Sequence, residues 1–248
     1  MQNENYYDNI FQREKLLLGN KIFNNITTKS IVLCGIGGVG SYALEGLCRM
    51  GINKFVLIDD DKYELSNINR QLYATNNTIG KYKINVAKNR ILDINPTASI
   101  ITFCEKIQNI DLQKILFQNN INYDNIYLID AIDDVNGKSF LISFCLNNNI
   151  KIVSSMGTGN KIYASKMKIS TLDKTSTCPL SKKLRKILSK KYSIELLSKV
   201  NVIYSDEVPK KICNNPQKLI SSISYVPAIA GMLICEYIIN NIISEVEK

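Results

Sequence analysis

The feature that most constrains this 248-residue chain is a glycine cluster, Cys34-Gly35-Ile36-Gly37-Gly38-Val39-Gly40. It sits between a compact apolar run at 31–34 and a run at 41–50 whose apolar residues have helical spacing. Strand, glycine turn, helix is the setting of the nucleotide-binding fingerprint. Gly35 permits the tight turn, Gly37 lets a phosphate approach the backbone, and Gly40 lets helix and strand pack closely, with Gly38 completing the loop. The unpaired amides that open the helix then face an anion. Asp59, 19 residues beyond Gly40, suits a ribose-hydroxyl acceptor. Enzymes of NAD, FAD and ATP share such a loop, so the motif alone leaves NAD and ATP equally open.

The rest of the chain repeats the alternation. A short amphipathic helix is predicted at 10–24 and strands at 31–34 and 54–58. A helix at 41–50 is closed by Gly51, and a long one at 78–94 stops before Pro96. Strands follow at 98–104, 126–129 and 150–154, with a helix at 137–146. This order predicts an α/β fold, a Rossmann-like parallel sheet with flanking helices and right-handed crossovers. Such sheets bind ligands at the carboxyl ends of their strands. Those ends carry the glycines at 35–40, the acids at 59–61 and the acids at 130–134. The pattern divides into a helical arm at 1–26, a nucleotide-binding domain at 27–170 and a smaller C-terminal α/β extension at 171–248 packed on the same domain.

Composition excludes several classes. With 45% hydrophobic and 21% charged residues the chain can bury a core and is not a disordered polyelectrolyte. It has no histidine, which removes histidine-based triads and histidine metal sites. Its seven cysteines form no CxxC pair, and an odd count points to a reducing cytoplasm. The polar stretch at 1–9 does not read as a signal peptide. An apolar stretch at 225–243 contains Pro227, Glu236, Asn240 and Asn241, so it reads as a buried helix and no membrane contact is expected. The net charge of +9 favours polyanionic partners. Part of it lies at 182–191, where helical spacing would turn Leu184, Ile187 and Leu188 inward and Lys182, Lys183, Arg185, Lys186, Lys190 and Lys191 outward. That face either grips phosphates or is simply solvated.

The tie between nucleotides is broken by the segment Asp59-Asp60-Asp61, then Ser66-Asn67-Ile68-Asn69-Arg70-Gln71, then Gly80-Lys81-Tyr82-Lys83. With the glycine loop, this series resembles the ubiquitin-activating-enzyme-like superfamily (ThiF/MoeB/HesA). That superfamily includes the molybdopterin-synthase-activating and thiamine-sulfur-transfer adenylyltransferases. The resemblance implies the ThiF/MoeB-type adenylation fold and an enzyme that uses ATP to adenylylate a carboxylate. It implies that Asp59 binds the ribose and that Asn67, Arg70 and Lys83 contact the triphosphate, with Asp61 and Gln71 in the same nucleotide-binding motifs. Two anions must meet in such a reaction, so cations on the developing charge have a clear purpose. Asp133 matches the family aspartate that holds Mg²⁺ against the phosphates, although Asp130 and Asp134 stay open as ligands. Phe11-Gln12-Arg13 resembles the family's N-terminal arginine, which in homodimers reaches the partner's nucleotide. Arg13, Arg70, Lys83 and Asp133 are thus the implied catalytic set.

Pieces outside the ATP core resemble one branch, the tRNA threonylcarbamoyladenosine dehydratases. They lie at 11–19, 130–138, 156–161, 174–180 and 202–207, with Pro227 and Gly231 following Ser222-Ile223-Ser224. The resemblance implies a cytoplasmic, AMP-forming ligase that activates the threonyl carboxylate of the modified base, after which an internal nucleophile closes a ring with loss of water. Its implied partners are tRNA and a second copy of the chain. A monovalent cation and a cysteine-desulfurase or sulfur-acceptor partner stay open. Without CxxC pairs, no zinc is expected. The alternative is an activator of a ubiquitin-like sulfur carrier, in which Cys178 would accept the activated group. The Cys178-Pro179 junction reads instead as an incidental cysteine in a loop.

Overall fold

The computed structural model describes residues 9–213 and 219–247. Most of the polar stretch at 1–9 and part of the irregular stretch expected at 207–217 therefore lie outside the described residues. Seven strands form one sheet: β1 (Ser30–Cys34), β2 (Lys54–Ile58), β3 (Ser99–Phe103), β4 (Ile126–Asp130), β5 (Lys151–Ser155), β6 (Met167–Thr171) and β7 (Asn201–Ser205). Their order is β3-β2-β1-β4-β5-β7-β6. All neighbours are parallel except β6, which closes the edge antiparallel to β7. β1 pairs with β2 on one side and β4 on the other, so the chain reverses its direction of winding at β1. Ligands of open α/β sheets bind outside such a switch point.

Among the described residues, the α-helices that connect or cover the strands are α1 (Gln12–Thr28), α2 (Gly40–Arg49), α3 (Lys83–Ile94), α4 (Leu112–Gln118), α5 (Val135–Asn147), α6 (Pro179–Leu188), α7 (Ile194–Leu197) and α8 (Tyr225–Glu247). Strand period 2 divides the core. Ile31 and Leu33 of β1 face a layer built from α1, α2, α3 and α8, whereas Val32 and Cys34 face one built from α4, α5, α6 and α7. A sheet covered on both faces needs continuous apolar strands, and every residue of β1 and β4 is buried.

Several expectations need correction. The helix expected at 78–94 starts only at Lys83, because Thr78 turns back to accept from the Thr75 amide at 2.7 Å and donates to the Tyr73 carbonyl at 2.7 Å. The basic helix starts at Pro179 rather than 182, as proline suits the first helical turn. α1 runs to Thr28 and kinks at Gly19, where φ is 78°. Strand β6 and helix α4 are additions. β7, from the C-terminal stretch, is inserted between β5 and β6 and so belongs to the same sheet.

Helix α8 is long and apolar enough to cross a membrane, but half of its apolar window is buried against the protein. Val226, Ala230, Ile234, Ile238 and Ile242 form its inner stripe. It lies tight on α2 because both partners lack a side chain at the crossing. A Cβ on Gly231 would stand 2.6 Å from the Val39 carbonyl, and one on Gly46 would stand 2.6 Å from Cys235 Sγ.

The far end of α8 is pinned by charge. Glu245 accepts from Lys29 Nζ at 2.7 Å and from the Tyr127 hydroxyl at 2.7 Å, and it pairs with Lys151. Partial burial opposes ionisation of Glu245, but the bonds from Lys151, Lys29 and Tyr127 prevail and bring its pKa down to about 2. A carboxylate depressed in the folded state stabilises above its unfolded pKa and loses that contribution as pH falls through the folded value. We expect roughly 1–2 kcal/mol, after discounting for solvent screening, to disappear between about pH 4.5 and about pH 2. Urea midpoints across that window should show the loss, and Glu245→Gln should flatten it.

Candidate active site

The loop after β1 is shaped by backbone crowding. Gly35 adopts φ 90°, and a Cβ there would stand 2.8 Å from the carbonyl carbon and oxygen of Ala131. A Cβ on Gly40 would drive into the Gly35 carbonyl. No side chain can move aside to relieve either clash. The loop therefore stays close to the start of the β4–α5 connection. Among the described residues, the amides of Gly37 and Gly38 have no hydrogen-bond acceptor, and they open toward the start of α2. Space beside Gly37 is free out to Gln71 Nε2, 3.8 Å from where a Cβ would be.

Asp59 caps this loop from β2. Its Oδ2 accepts from the Ile36 amide at 2.6 Å and its Oδ1 from the Asp61 amide at 2.9 Å. Burial raises the pKa of Asp59, opposed by the charge of Lys83 and by those two amides. Lys83, the first residue of α3, is buried; its Nζ donates to Asp61 Oδ2 at 2.8 Å. Asp61 is 65% exposed, so this pair faces solvent on one side.

The segment 66–72 folds over the other side of the loop. Arg70 Cγ lies 3.4 Å from the Cβ position of Gly38, and the Leu72 amide donates to Ser41 Oγ at 3.2 Å. The Arg70 guanidinium donates to the Ser66 carbonyl at 2.7 Å and to Asn69 Oδ1 at 3.0 Å. Asn67 is buried and accepts from the Glu64 amide at 3.2 Å. Gln71 is buried and its Oε1 has no partner, an orphaned acceptor next to the open space at Gly37. The structure thus brings Gly35, Gly37, Gly38, Gly40, Asp59, Asp61, Asn67, Arg70, Gln71 and Lys83 around one loop.

The three acids left open at 130–134 occupy different situations. Asp130 is fully buried at the end of β4, where Oδ1 accepts from Lys138 Nζ at 2.9 Å and Oδ2 from Ser154 Oγ at 2.5 Å. Asp134 is the N-cap of α5, accepting from the Gly137 amide and Gln108 Nε2, each at 2.7 Å. Asp133 is exposed and has no partner among the described residues. The cluster Asp59-Asp60-Asp61 has the spacing of a cation site, but the carboxylates of Asp59 and Asp61 are already engaged. Asp133 is thus the one acid of the three whose carboxylate is uncommitted among the described residues and could serve a cation.

Arg13 does not join this group within its own chain. It is exposed on α1, and its neighbour Glu14 lines a cavity with Arg49, Arg90 and Asp93 at the carboxyl ends of α2 and α3. The glycine loop lies at the opposite end of α2, about 15 Å away for a helix of ten residues. Cys178 lies in a loop, as expected. Its side chain is buried, and it immediately precedes α6. Burial pushes its thiol pKa up, but bonds from the Ser181 and Gly157 amides and the nearby Lys161 charge bring it below the ordinary value. Lys161, itself buried, is lowered by desolvation.

Sequence reasoning did not single out Lys138. It is fully buried and also donates to the Ser155 carbonyl at 2.7 Å, tying α5 to the ends of β4 and β5 beneath Asp133. A lysine one turn into an otherwise apolar helix was the available signal.

A parallel sheet with a glycine turn at its switch point, an acid on the next strand and cations over the loop defines a nucleotide-binding enzyme of the adenylating class. The chain belongs to the ThiF family, whose profile matches residues 11–248. It is 31% identical to a tRNA threonylcarbamoyladenosine dehydratase of Bacillus subtilis, covering 96% of each chain. It is 34% identical to the enzyme of that name from Escherichia coli over 77% of this chain and 71% of that one. The structure of the Escherichia coli dehydratase TcdA in complex with ATP superposes with a TM-score of 0.85 at 28% identity, covering 97% of this chain and 96% of that one.

Asp130→Asn leaves the Lys138 ammonium buried without its counter-charge. We expect a loss of about 3–5 kcal/mol in urea unfolding. The double variant Asp130→Asn/Lys138→Met, which removes both charges, should lose clearly less; equal losses would show that the ion pair is not what matters.

Proposed function

We propose that this chain is an ATP-dependent tRNA threonylcarbamoyladenosine dehydratase. The observation that carries the reading is the set of cations and free amides around the glycine loop, in a chain similar to such dehydratases over almost its whole length. ATP lies with its phosphates over Gly37 and Gly38, its ribose on Asp59, and its charge met by Asn67, Arg70, Gln71 and Lys83. Lys83 exchanges the exposed Asp61 for a phosphate, a small loss because exposed pairs are worth about 0–1 kcal/mol. Asp133 would hold Mg²⁺, which supplies further charge neutralisation when bound.

The threonyl carboxylate of the modified base attacks the α-phosphorus, and pyrophosphate leaves. An internal nucleophile of the same base then attacks the acyl carbon and expels AMP. Its proton passes to solvent, the ring closes, and the base has lost one water. Because nucleophile and acyl group share one molecule, closure gains from proximity and needs no enzyme thiol. The burial of Cys178 fits this and gives no route for a carrier protein. Arg13, at the far sheet edge of its own chain, can serve only a second copy, so the working form is a homodimer in the cytoplasm, where tRNA is found. No residue set is assigned to a monovalent cation or to a sulfur-transfer partner, and the chemistry requires neither.

The test is to incubate the chain with ATP, Mg²⁺ and tRNA bearing the modification and to analyse nucleosides by mass spectrometry. A shift of one water is expected; an unchanged mass with folded, ATP-binding protein would sink the reading. Arg70→Ala should slow turnover by roughly 10²–10³-fold, the scale for losing one preorganised charge contact. Cys178→Ser should turn over at close to the wild-type rate, whereas a thioester route predicts no product from it.

A further inference from the structure

We infer that the outward face of α6, with the turn that follows it, is the docking surface for the tRNA stem beside the modified base; this rests on the tRNA reading above. The segment 174–194 contains seven lysines and arginines and no acid, so it alone supplies +7 of the chain's net +9. Five of these cations, Lys182, Lys183, Lys186, Lys190 and Lys191, are exposed on α6 and the turn after it, so much of the protein's basic character is concentrated there.

The structure sorts these cations. Arg185, expected to point outward, is turned in, where its guanidinium donates to the Thr175 carbonyl at 2.7 Å and to the Leu172 carbonyl at 3.3 Å. Ser181, Leu184 and Leu188 form the buried face, whereas Ile187, expected to turn inward with them, is exposed. Lys182, Lys183, Lys186 and Lys190 are exposed and form no ion pair among the described residues. Lys182 and Lys186 are spaced to repel one another along α6, and Lys190 adds a further cation in the turn that follows it. The fold gains nothing from that repulsion, whereas a polyanion would relieve it.

Position and chemistry select the partner. α6 begins at the carboxyl edge of the sheet: the Thr177 hydroxyl donates to the Ser205 carbonyl at 3.3 Å, and a Cβ on Gly157 would stand 3.9 Å from Cys178 Sγ. β5 and β7 lie two and three strands from β1, so α6 starts about 10–15 Å along the same edge from the glycine loop. A base held at the loop would leave its flanking backbone within reach of these lysines. An anionic membrane fits less well, because an interfacial helix needs a broad free apolar face and here Leu184 and Leu188 are already in the core, leaving Ile187 as the exposed large apolar side chain of α6.

The experiment compares the full chain with a Lys182→Gln/Lys183→Gln/Lys186→Gln/Lys190→Gln variant. Readouts are ATP affinity, tRNA affinity by fluorescence anisotropy between about 50 and about 200 mM salt, and KM and kcat for dehydration. We expect tRNA affinity to fall roughly 10–100-fold and the salt slope to drop by about two to three, at 0.7–0.9 per lost phosphate contact. ATP affinity should not change. Unchanged tRNA affinity and slope would overturn the docking face, even with dehydration intact. Loss of tRNA affinity in the variant, alongside a wild type that binds tRNA but never changes its mass, would support the face and refute the reaction. Binding of wild type to phosphatidylserine vesicles, abolished in the variant while tRNA affinity stays the same, would assign the face to membranes instead.

Discussion

The structure depends on a place where three backbones meet with no room for a β-carbon. Gly35 presses on the start of the β4–α5 connection, Gly40 on Gly35, and Gly231 of α8 on the first turn of α2. Because the opposing atoms are mostly backbone, relief would need movement of whole elements, not a change of rotamer. The crowding fixes the loop at the switch point of the sheet, holds α2 so that its first amides face outward, and docks the longest helix against it. Everything polar at the site is arranged around that fixed loop.

Charge is distributed there with two different degrees of commitment. Asp130 and Lys138 have no solvent exposure and share Ser154, and Lys138 also donates to the Ser155 carbonyl, so removing either partner leaves a costly buried charge. Lys83 is also buried, but its partner Asp61 is mostly exposed, and such a pair is cheap to exchange. The first pair suits a permanent brace between β4, β5 and α5. The second suits a cation that can turn to an incoming anion. Asp133 lies on the short connection between β4 and α5, without a partner among the described residues.

Much of the architecture was legible because local pattern and tertiary role agreed. β2 occupies 54–58 as expected, β1 and β4 each differ from expectation by one residue at one end, and α5 extends the expected helix by two residues at its start and one at its finish. These strands are buried on both faces, so their apolar runs are continuous and their ends abrupt. Failures came where side chains compete with backbone or where pairing is long-range. Thr75 and Thr78 divert hydrogen bonds into a turn and delay α3 until Lys83. β6 is a half-exposed edge strand whose partner lies some thirty residues later in the chain, and nothing local announces it. Of the candidate site, the residues around the glycine loop were legible as motifs; the roles of the individual acids at 130–134 were not, because all three sit on one short stretch of similar composition.

By itself the sequence determined that an apolar strand turns through glycines into a helix, that an anion must be met there, and that cations follow in a set order. Those are consequences of spacing, which survives without coordinates. Only the tertiary structure decided that Asp130 is spent on Lys138 while Asp133 is free, that Arg185 turns inward while its lysine neighbours do not, that Cys178 is buried, and that β7 slips between β5 and β6. Helical or strand periodicity says which face a residue occupies. Which carbonyl, ammonium or strand edge waits opposite that face is set by segments distant in the chain.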